Sequence, residues 1–240
     1  MPDAPSQLTP SPVPRCHALL PCAGKGSRAG TDLPKQYQPI AGQPMVMHTL
    51  SALRAVPRLD LCVMVVAPDD AWWTSQPVGT ALARCGGATR AESVFNGLKF
   101  LQENGAHPGD WVLVHDAARC LVTPAQVEAL IDACWNDEVG GLLALPLPDT
   151  LKVEASGRVA ATIERGDKWL AQTPQMFRLG ALHTALAATE GRSFAGVTDE
   201  ASAMEQAGHR PLLVRGSAQN FKVTYAEDFA LAEAVLRSRP

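Results

Sequence analysis

Residues 17–35 join a short apolar run, His17-Ala-Leu-Leu-Pro21, to the loop Cys22-Ala-Gly-Lys-Gly-Ser-Arg-Ala-Gly-Thr-Asp-Leu-Pro-Lys35, which carries the cations Lys25, Arg28 and Lys35. The chemistry such a loop could do is phosphate handling. Gly24, Gly26 and Gly30 lack a Cβ and tolerate positive φ, so backbone N–H groups can close on an anion. The cations add full charges where peptide dipoles alone would leave a triphosphate under-neutralised. No Gly-Lys-Ser/Thr closes the loop, so it is not a Walker A motif, and Ala29 stands where the dinucleotide spacing needs its third glycine. A glycine-rich loop by itself is equally a tight turn; the added Arg and Lys favour the phosphate reading.

Five further patches could carry chemistry. His115-Asp-Ala-Ala-Arg119 follows the apolar run Trp111–Val114. At the carboxyl end of a strand in an open α/β sheet, Asp116 and Arg119 would face the ligand crevice. Asp116 could hold Mg²⁺, which takes one or two carboxylates and otherwise waters and phosphate oxygens, or it could cap a turn. His115 is expected to complete the strand end. Gly86-Gly-Ala-Thr-Arg-Ala-Glu-Ser-Val94 reads as a glycine turn opening a helix, with polar groups and N–H donors suited to a ribose or base edge and Thr89 and Glu92 at capping-box spacing. Gln172–Phe177, Thr198–Ser202 and Asn220–Thr224 each end or begin an element and offer hydroxyl, amide, carboxylate or ammonium groups. Separately these are caps and turns; together they suggest a site. There is no GxSxG motif and no cysteine beside a partnered histidine, which argues against covalent catalysis. A phosphate loop, cations and one acid suit direct phosphoryl or nucleotidyl transfer by positioning and charge stabilisation.

The elements that must position these groups alternate. β-type runs recur at 18–21, 61–67, 111–115, 141–146 and 211–214, separated mostly by helical periodicity at 45–55, 89–102, 124–135, 179–188, 199–206 and 226–237. Continuous apolar strands between helices imply a Rossmann-like α/β fold, with a mostly parallel sheet covered on both faces. Thr123-Pro124 marks a helix start, and Gly208 a helix end. Between Asp149 and Phe177 the alternation breaks into two alternating strands around a Ser156-Gly157 turn. A hairpin of this kind is marginal alone and is expected to project as an arm, at about 149–171, that packs on another subunit.

At 240 residues and 46% hydrophobic, the chain can bury one full core. Residues 16–240 are expected to form one domain behind a proline-rich, disordered tail at 1–15. A net charge of −3 without a basic block argues against nucleic acid as a partner. The six cysteines show no metal-ligand spacing, and no apolar run is long enough to span a bilayer. A cytoplasmic protein without membrane or nucleic-acid partners is expected.

Taken in order, these motifs resemble the cytidylyltransferases of the IspD type, which make 4-diphosphocytidyl-2-C-methyl-D-erythritol in the non-mevalonate isoprenoid pathway. The resemblance covers about residues 16 to 238 and rests on the loop together with His115–Arg119, Thr173-Pro-Gln, Thr198–Ser202 and Lys222-Val-Thr224. It implies a nucleotidyltransferase fold, CTP and a small polyol phosphate as substrates, Mg²⁺, and a homodimer joined through the arm. By the same resemblance Arg28 and Lys35 stabilise the transition state at the α-phosphate, with Lys25 a lesser contact. Asp116 is the Mg²⁺-associated acid, and Arg119 lies toward the sugar-phosphate side. Arg165, on the second strand of the arm, and Lys222 grip the acceptor phosphate, while Thr150, Thr173 and Thr198 line its pocket. Ala23, Gly24, Gly26, Gly87 and Ser93 fall at nucleotide contacts. Cys22, Ala29 and Cys120 depart from the commoner pattern without removing a charged group. A pentitol-phosphate cytidylyltransferase would use the same groups, and a nucleotide-binding module without catalysis would be expected to have lost some of them.

Overall fold

The computed structural model describes residues 13–24, 33–73 and 79–239. Among these, eleven strands and six α-helices run in the order β1 (Cys16–Pro21), β2 (Pro39–Ile40), β3 (Gln43–Pro44), α1 (Met45–Arg54), β4 (Leu61–Val65), β5 (Thr80–Ala83), α2 (Arg90–Glu103), β6 (Trp111–Val114), α3 (Pro124–Cys134), β7 (Gly140–Pro146), β8 (Leu151–Ala155), β9 (Arg158–Ile163), β10 (Trp169–Arg178), α4 (Leu179–Glu190), α5 (Glu200–Gln206), β11 (Leu212–Arg215) and α6 (Ala226–Ser238). Seven strands form one sheet in the order β11-β7-β10-β6-β1-β4-β5. Every pairing in it is parallel except those of β10, which runs antiparallel to β6 and β7. The Rossmann-like expectation therefore describes the architecture.

Period-two alternation along the apolar strands sends neighbours to opposite faces. Ala18, Leu20, Cys62 and Met64 pack with Leu50 of α1 and Leu130 of α3. Leu19, Val63 and Val65 pack with Val94 and Leu98 of α2 and Leu182 of α4. The strands read as continuous hydrophobic runs because both faces are buried. Thr123 caps α3 in a reciprocal capping box with Gln126, Pro124 occupies the first helical position, and Gly208 follows α5 with φ +88°.

Besides the two-residue strands β2 and β3, two strands of the large sheet exceed the expectation. Thr80–Ala83 is a short edge strand paired only with β4, and its Thr-Ala-Leu-Ala sequence carries little β signal. Gln172–Phe177, read above as an element boundary, lies inside the ten-residue β10. Pro174 reads as a stop because it has no N–H for the ladder, but here a register shift between Ala171 and Gln175 accommodates it.

The hairpin forms as expected, with β8 and β9 making a separate two-stranded sheet around Ser156 (φ +53°) and Gly157 (φ +75°). Positive φ at both turn residues is the geometry that matches the right-handed strand twist. All of β8 and all of β9 but Ile163 is exposed. Of the expected tail, residues 1–12 lie outside the described residues; Arg15 donates from its backbone N–H to Asp110 at 2.9 Å and from its guanidinium at 3.1 Å. Among the described residues no helix is long and apolar enough to cross a membrane.

Candidate active site

Strands β1, β4, β5 and β6 are parallel, so their carboxyl ends open on one side of the sheet, where strand order reverses about β1. The segments leaving them wall a cleft of about 720 Å³: Ala23 and Gly24 after β1, Pro68 and Asp69 after β4, Gly87 after β5, and Asp116 after β6. Beside it, where antiparallel β10 runs back past the end of β6, lies a smaller cavity of about 190 Å³ lined by Arg119, Gln172, Thr173 and Thr198. Arg90, Asp116 and Lys222 line both cavities and so mark the junction between them.

Asp116 is the centre of that junction. Its Oδ1 accepts from Arg90 Nε at 2.8 Å, and its Oδ2 pairs with Lys222 Nζ at 2.8 Å. Arg90 also forks onto Glu200, donating from Nη1 at 2.7 Å and from Nη2 at 3.0 Å. Burial alone would raise the Asp116 pKa, but the charges of Arg90 and Lys222 outweigh it and hold the carboxyl far below its usual range. The same acids more than offset the desolvation of Arg90, which stays charged.

The backbone of Asp116 is held by a chain of hydrogen bonds. Its N–H donates to Thr173 Oγ1 at 3.0 Å, and that hydroxyl lies 3.0 Å from His115 Nδ1. His115 Nε2 is 3.1 Å from the carbonyl of Arg119. With the Thr173 hydrogen given to Nδ1, the network assigns the proton of His115 to Nε2. Burial pushes this imidazole down to about 4, so it is neutral at pH 7. His115 thus completes the strand end, as its position in the sequence suggests. Arg119 ties two elements, donating to the carbonyls of Asn220 (2.7 Å) and Ala171 (3.2 Å).

On the opposite wall, Lys35 begins a 3₁₀ turn, Lys35–Tyr37, and donates to the carbonyl of Val223 at 2.8 Å. Gln36 donates from Nε2 to the carbonyls of Cys22 (2.7 Å) and Gly24 (3.0 Å), fixing the mouth of the glycine loop to this turn. Tyr37 donates to Asp70 at 2.6 Å, receives Trp73 Nε1 at 3.1 Å and stacks on Trp72. Across the cleft, Ser93 Oγ accepts the Gly87 N–H at 3.1 Å. Thr89 caps α2 by accepting from Glu92 N–H, but the Glu92 carboxylate reaches Ala88 N–H, so the box expected there is only half formed.

The structure thus brings together Ala23, Gly24, Lys35, Gly87, Ser93, Asp116 and Lys222 around the larger cavity, and Arg119, Thr173 and Thr198 around the smaller. Lys25, Gly26 and Arg28 lie outside the described residues. Thr150 and Arg165 are exposed at the base of the arm and line neither cavity. Arg165 is not on the second strand of the arm, because β9 ends at Ile163; the Glu164 carboxylate accepts from the N–H groups of Arg165 and Gly166 and turns the chain there. Among the described residues no group of three or more His, Cys, Asp or Glu could cage a metal. A single carboxylate at the cavity junction fits Mg²⁺ held otherwise by phosphate oxygens and water.

A family model, IspD: 2-C-methyl-D-erythritol 4-phosphate cytidylyltransferase, matches residues 16–238. The chain belongs to the IspD family. It is 52% identical to 2-C-methyl-D-erythritol 4-phosphate cytidylyltransferase of Paraburkholderia xenovorans, over 94% of this chain and 98% of that protein. It is 64% identical to a bifunctional enzyme IspD/IspF of Albidiferax ferrireducens, over its whole length but only 57% of that relative. The crystal structure of a 4-diphosphocytidyl-2C-methyl-D-erythritol synthase superposes with a TM-score of 0.82 at 40% identity, covering 93% of this chain and 99% of that one. This IspD chain is therefore an enzyme of nucleotidyl transfer with an α/β nucleotidyltransferase fold.

Sequence reasoning singled out neither Arg90 nor Glu200, although both lie inside patches it marked. A signal was present for Arg90: a cation in the first turn of a helix opposes the helix dipole and is expected there only where acids face it. Gln36 carried no such signal, since its amide acts on carbonyls that only the fold brings near.

Proposed function

We propose that Lys35 and Lys222 neutralise the phosphates, and that Asp116, held by Arg90, positions the charges around them, in the reaction for which the family is named, transfer of the cytidylyl group of CTP to 2-C-methyl-D-erythritol 4-phosphate with release of pyrophosphate. The observation that carries this assignment is the shared lining: one cleft and one smaller cavity meet at Asp116, Arg90 and Lys222. CTP would occupy the larger, its triphosphate toward the glycine loop and Lys35. The polyol phosphate would occupy the smaller, beside Thr173, Thr198 and Arg119. The acceptor phosphate is already an anion, so it attacks the α-phosphorus in line without a general base, and the bond to pyrophosphate breaks. Bringing two anions together is the difficult part, and it is met by charge and orientation. Lys35 and, from the resemblance, Arg28 would stabilise charge on the α-phosphate and leaving group. Lys222 would pass from Asp116 to the acceptor phosphate. Mg²⁺ held by Asp116 and phosphate oxygens would supply further neutralisation.

Residues 16–240 would act as one domain whose arm, at about 149–171, exchanges between two copies, so that the partner subunit's Arg165 completes the acceptor pocket. The six unpaired thiols accord with a reducing, cytoplasmic setting. The test is pyrophosphate release with Mg²⁺ and CTP, comparing 2-C-methyl-D-erythritol 4-phosphate with ribitol 5-phosphate, and CTP with other nucleotides. Turnover with CTP and the methylerythritol phosphate is expected. A preference for ribitol phosphate would keep the mechanism and change the substrate, and silence with both would overturn the assignment.

A further inference from the structure

The two cations on Asp116 differ in kind. Arg90 is held by two carboxylates at once: its Nη1 and Nη2 form a fork with both oxygens of Glu200, at 2.7 and 3.0 Å, while Nε holds Asp116 at 2.8 Å. Because the guanidinium is planar and rigid, Arg90 cannot turn from Asp116 without breaking the fork. Lys222 makes its contact with Asp116 through a point charge on a flexible stem, at 2.8 Å with its side chain 37% exposed. The Glu200 side chain is 2% exposed, at the start of α5, and lines neither cavity itself. An apolar side chain at a site so buried would avoid the desolvation of a carboxylate. What the carboxylate specifically adds is the fixed orientation of Arg90.

We infer that Glu200 and Arg90 form a clamp that keeps Asp116 charge-compensated and in place when Lys222 leaves it for the acceptor phosphate. Both are positioning residues: Glu200 acts through Arg90, and Arg90 through Asp116. The inference rests on the reading of the two cavities as nucleotide and acceptor sites. Without the fork that aims Arg90 at Asp116, the carboxylate would rest more heavily on Lys222, so Lys222 would stay paired with Asp116 and the acceptor phosphate would lose its partner.

The test is a kinetic double-mutant cycle on the full chain with CTP and 2-C-methyl-D-erythritol 4-phosphate, using Glu200→Gln, Lys222→Ala and the double variant, with melting temperatures and KM for CTP recorded for each. Glu200→Gln keeps the shape and an oxygen acceptor but removes the charge. It is expected to lower kcat on the order of 10- to 100-fold, as misplacement of a reacting group does, with KM for CTP changed by less than about threefold. In the Lys222→Ala background the same substitution is expected to cost little more, because the step it supports is already gone. If Glu200→Gln folds poorly, Arg90→Lys, which keeps the charge and loses the fork, carries the same cycle. A kcat within about threefold of wild type, or a loss that multiplies fully with that of Lys222→Ala, would overturn the clamp. The wild type separates the two readings: an inactive wild type overturns the proposed reaction and the clamp with it, whereas an active wild type beside an equally active Glu200→Gln overturns the clamp alone.

Discussion

Single side chains in this protein divide into those that meet phosphate and those that hold the site in place. Lys35 reaches the larger cavity from a 3₁₀ turn and Lys222 reaches both from a loop, and removing either charge leaves the buried core untouched. Lys35→Ala and Lys222→Ala are therefore each expected to lower kcat/KM about 100- to 1000-fold, roughly 3–4 kcal/mol of barrier, as for other charged contacts in a dry site. Melting temperatures should move little; wild-type turnover in either variant would remove its assigned role. Asp110, at the amino end of β6 and away from both cavities, holds the fold rather than the site. It accepts from the backbone N–H groups of Arg15 and His107, at 2.9 and 2.8 Å, and faces His17 at 3.3 Å. Burial pushes its pKa up, but these donors and the charge of Arg15 outweigh that and hold it below the usual carboxylate range. A carboxyl so lowered contributes stability above its unfolded pKa of about 3.9 and loses it as the pH falls further. Asp110→Asn is expected to be about 1–3 kcal/mol less stable at pH 7, with the difference shrinking in acid. Denaturant midpoints from pH 7 to 3 measure this, and a constant difference would exclude the carboxylate's charge as the cause.

Elements place the site by close approach of backbone. The segment joining β5 to α2 passes so near the ends of β1 and β4 that a Cβ on Gly86 would lie 2.3 Å from that of Ala23 and 2.8 Å from the carbonyl oxygen of Val66. Neither neighbour can give way cheaply, one being a short side chain beside the glycine loop and the other backbone. Gly86→Ala should displace that segment, costing about 1–3 kcal/mol of stability and raising KM for CTP more than it lowers kcat. Unchanged nucleotide affinity by titration would show that this approach does not shape the pocket. The alternation of helices and strands was legible because strands buried on both faces are continuously apolar. Strand β10 was not, because Pro174 and the polar residues around it imitate an end; its place between β6 and β7 is decided by pairing with residues far away in sequence.

At the scale of the whole molecule, the arm holds apolar side chains in water that a single copy leaves uncovered: Val153 is 40% and Val159 66% exposed. Such a two-stranded sheet is marginal by itself. Sedimentation of the purified chain is expected to show a dimer. Replacing residues 151–163 by a short glycine linker should give a folded monomer with strongly reduced turnover, since Thr150 and Arg165 line neither cavity of one copy. An active wild-type monomer would sink the arm-exchange reading and the acceptor-site role of the partner subunit's Arg165.

By itself the sequence determined the local periodicities, the helix caps, the glycine loop and the motif order that mark the family, because these depend on residues near one another in the chain. Most of the candidate residues could be named from it, including Asp116, Lys35 and Lys222. Only the tertiary structure decided that Arg90 and Lys222 share one carboxylate, that Glu200 anchors Arg90 from 110 residues away, and that Thr173 and His115 hold the Asp116 backbone. Those partners meet because the sheet order and the reversed β10 bring their elements to one crevice. A cation in the first turn of α2 signals locally that acids must face it, but no local pattern says which distant acids those are.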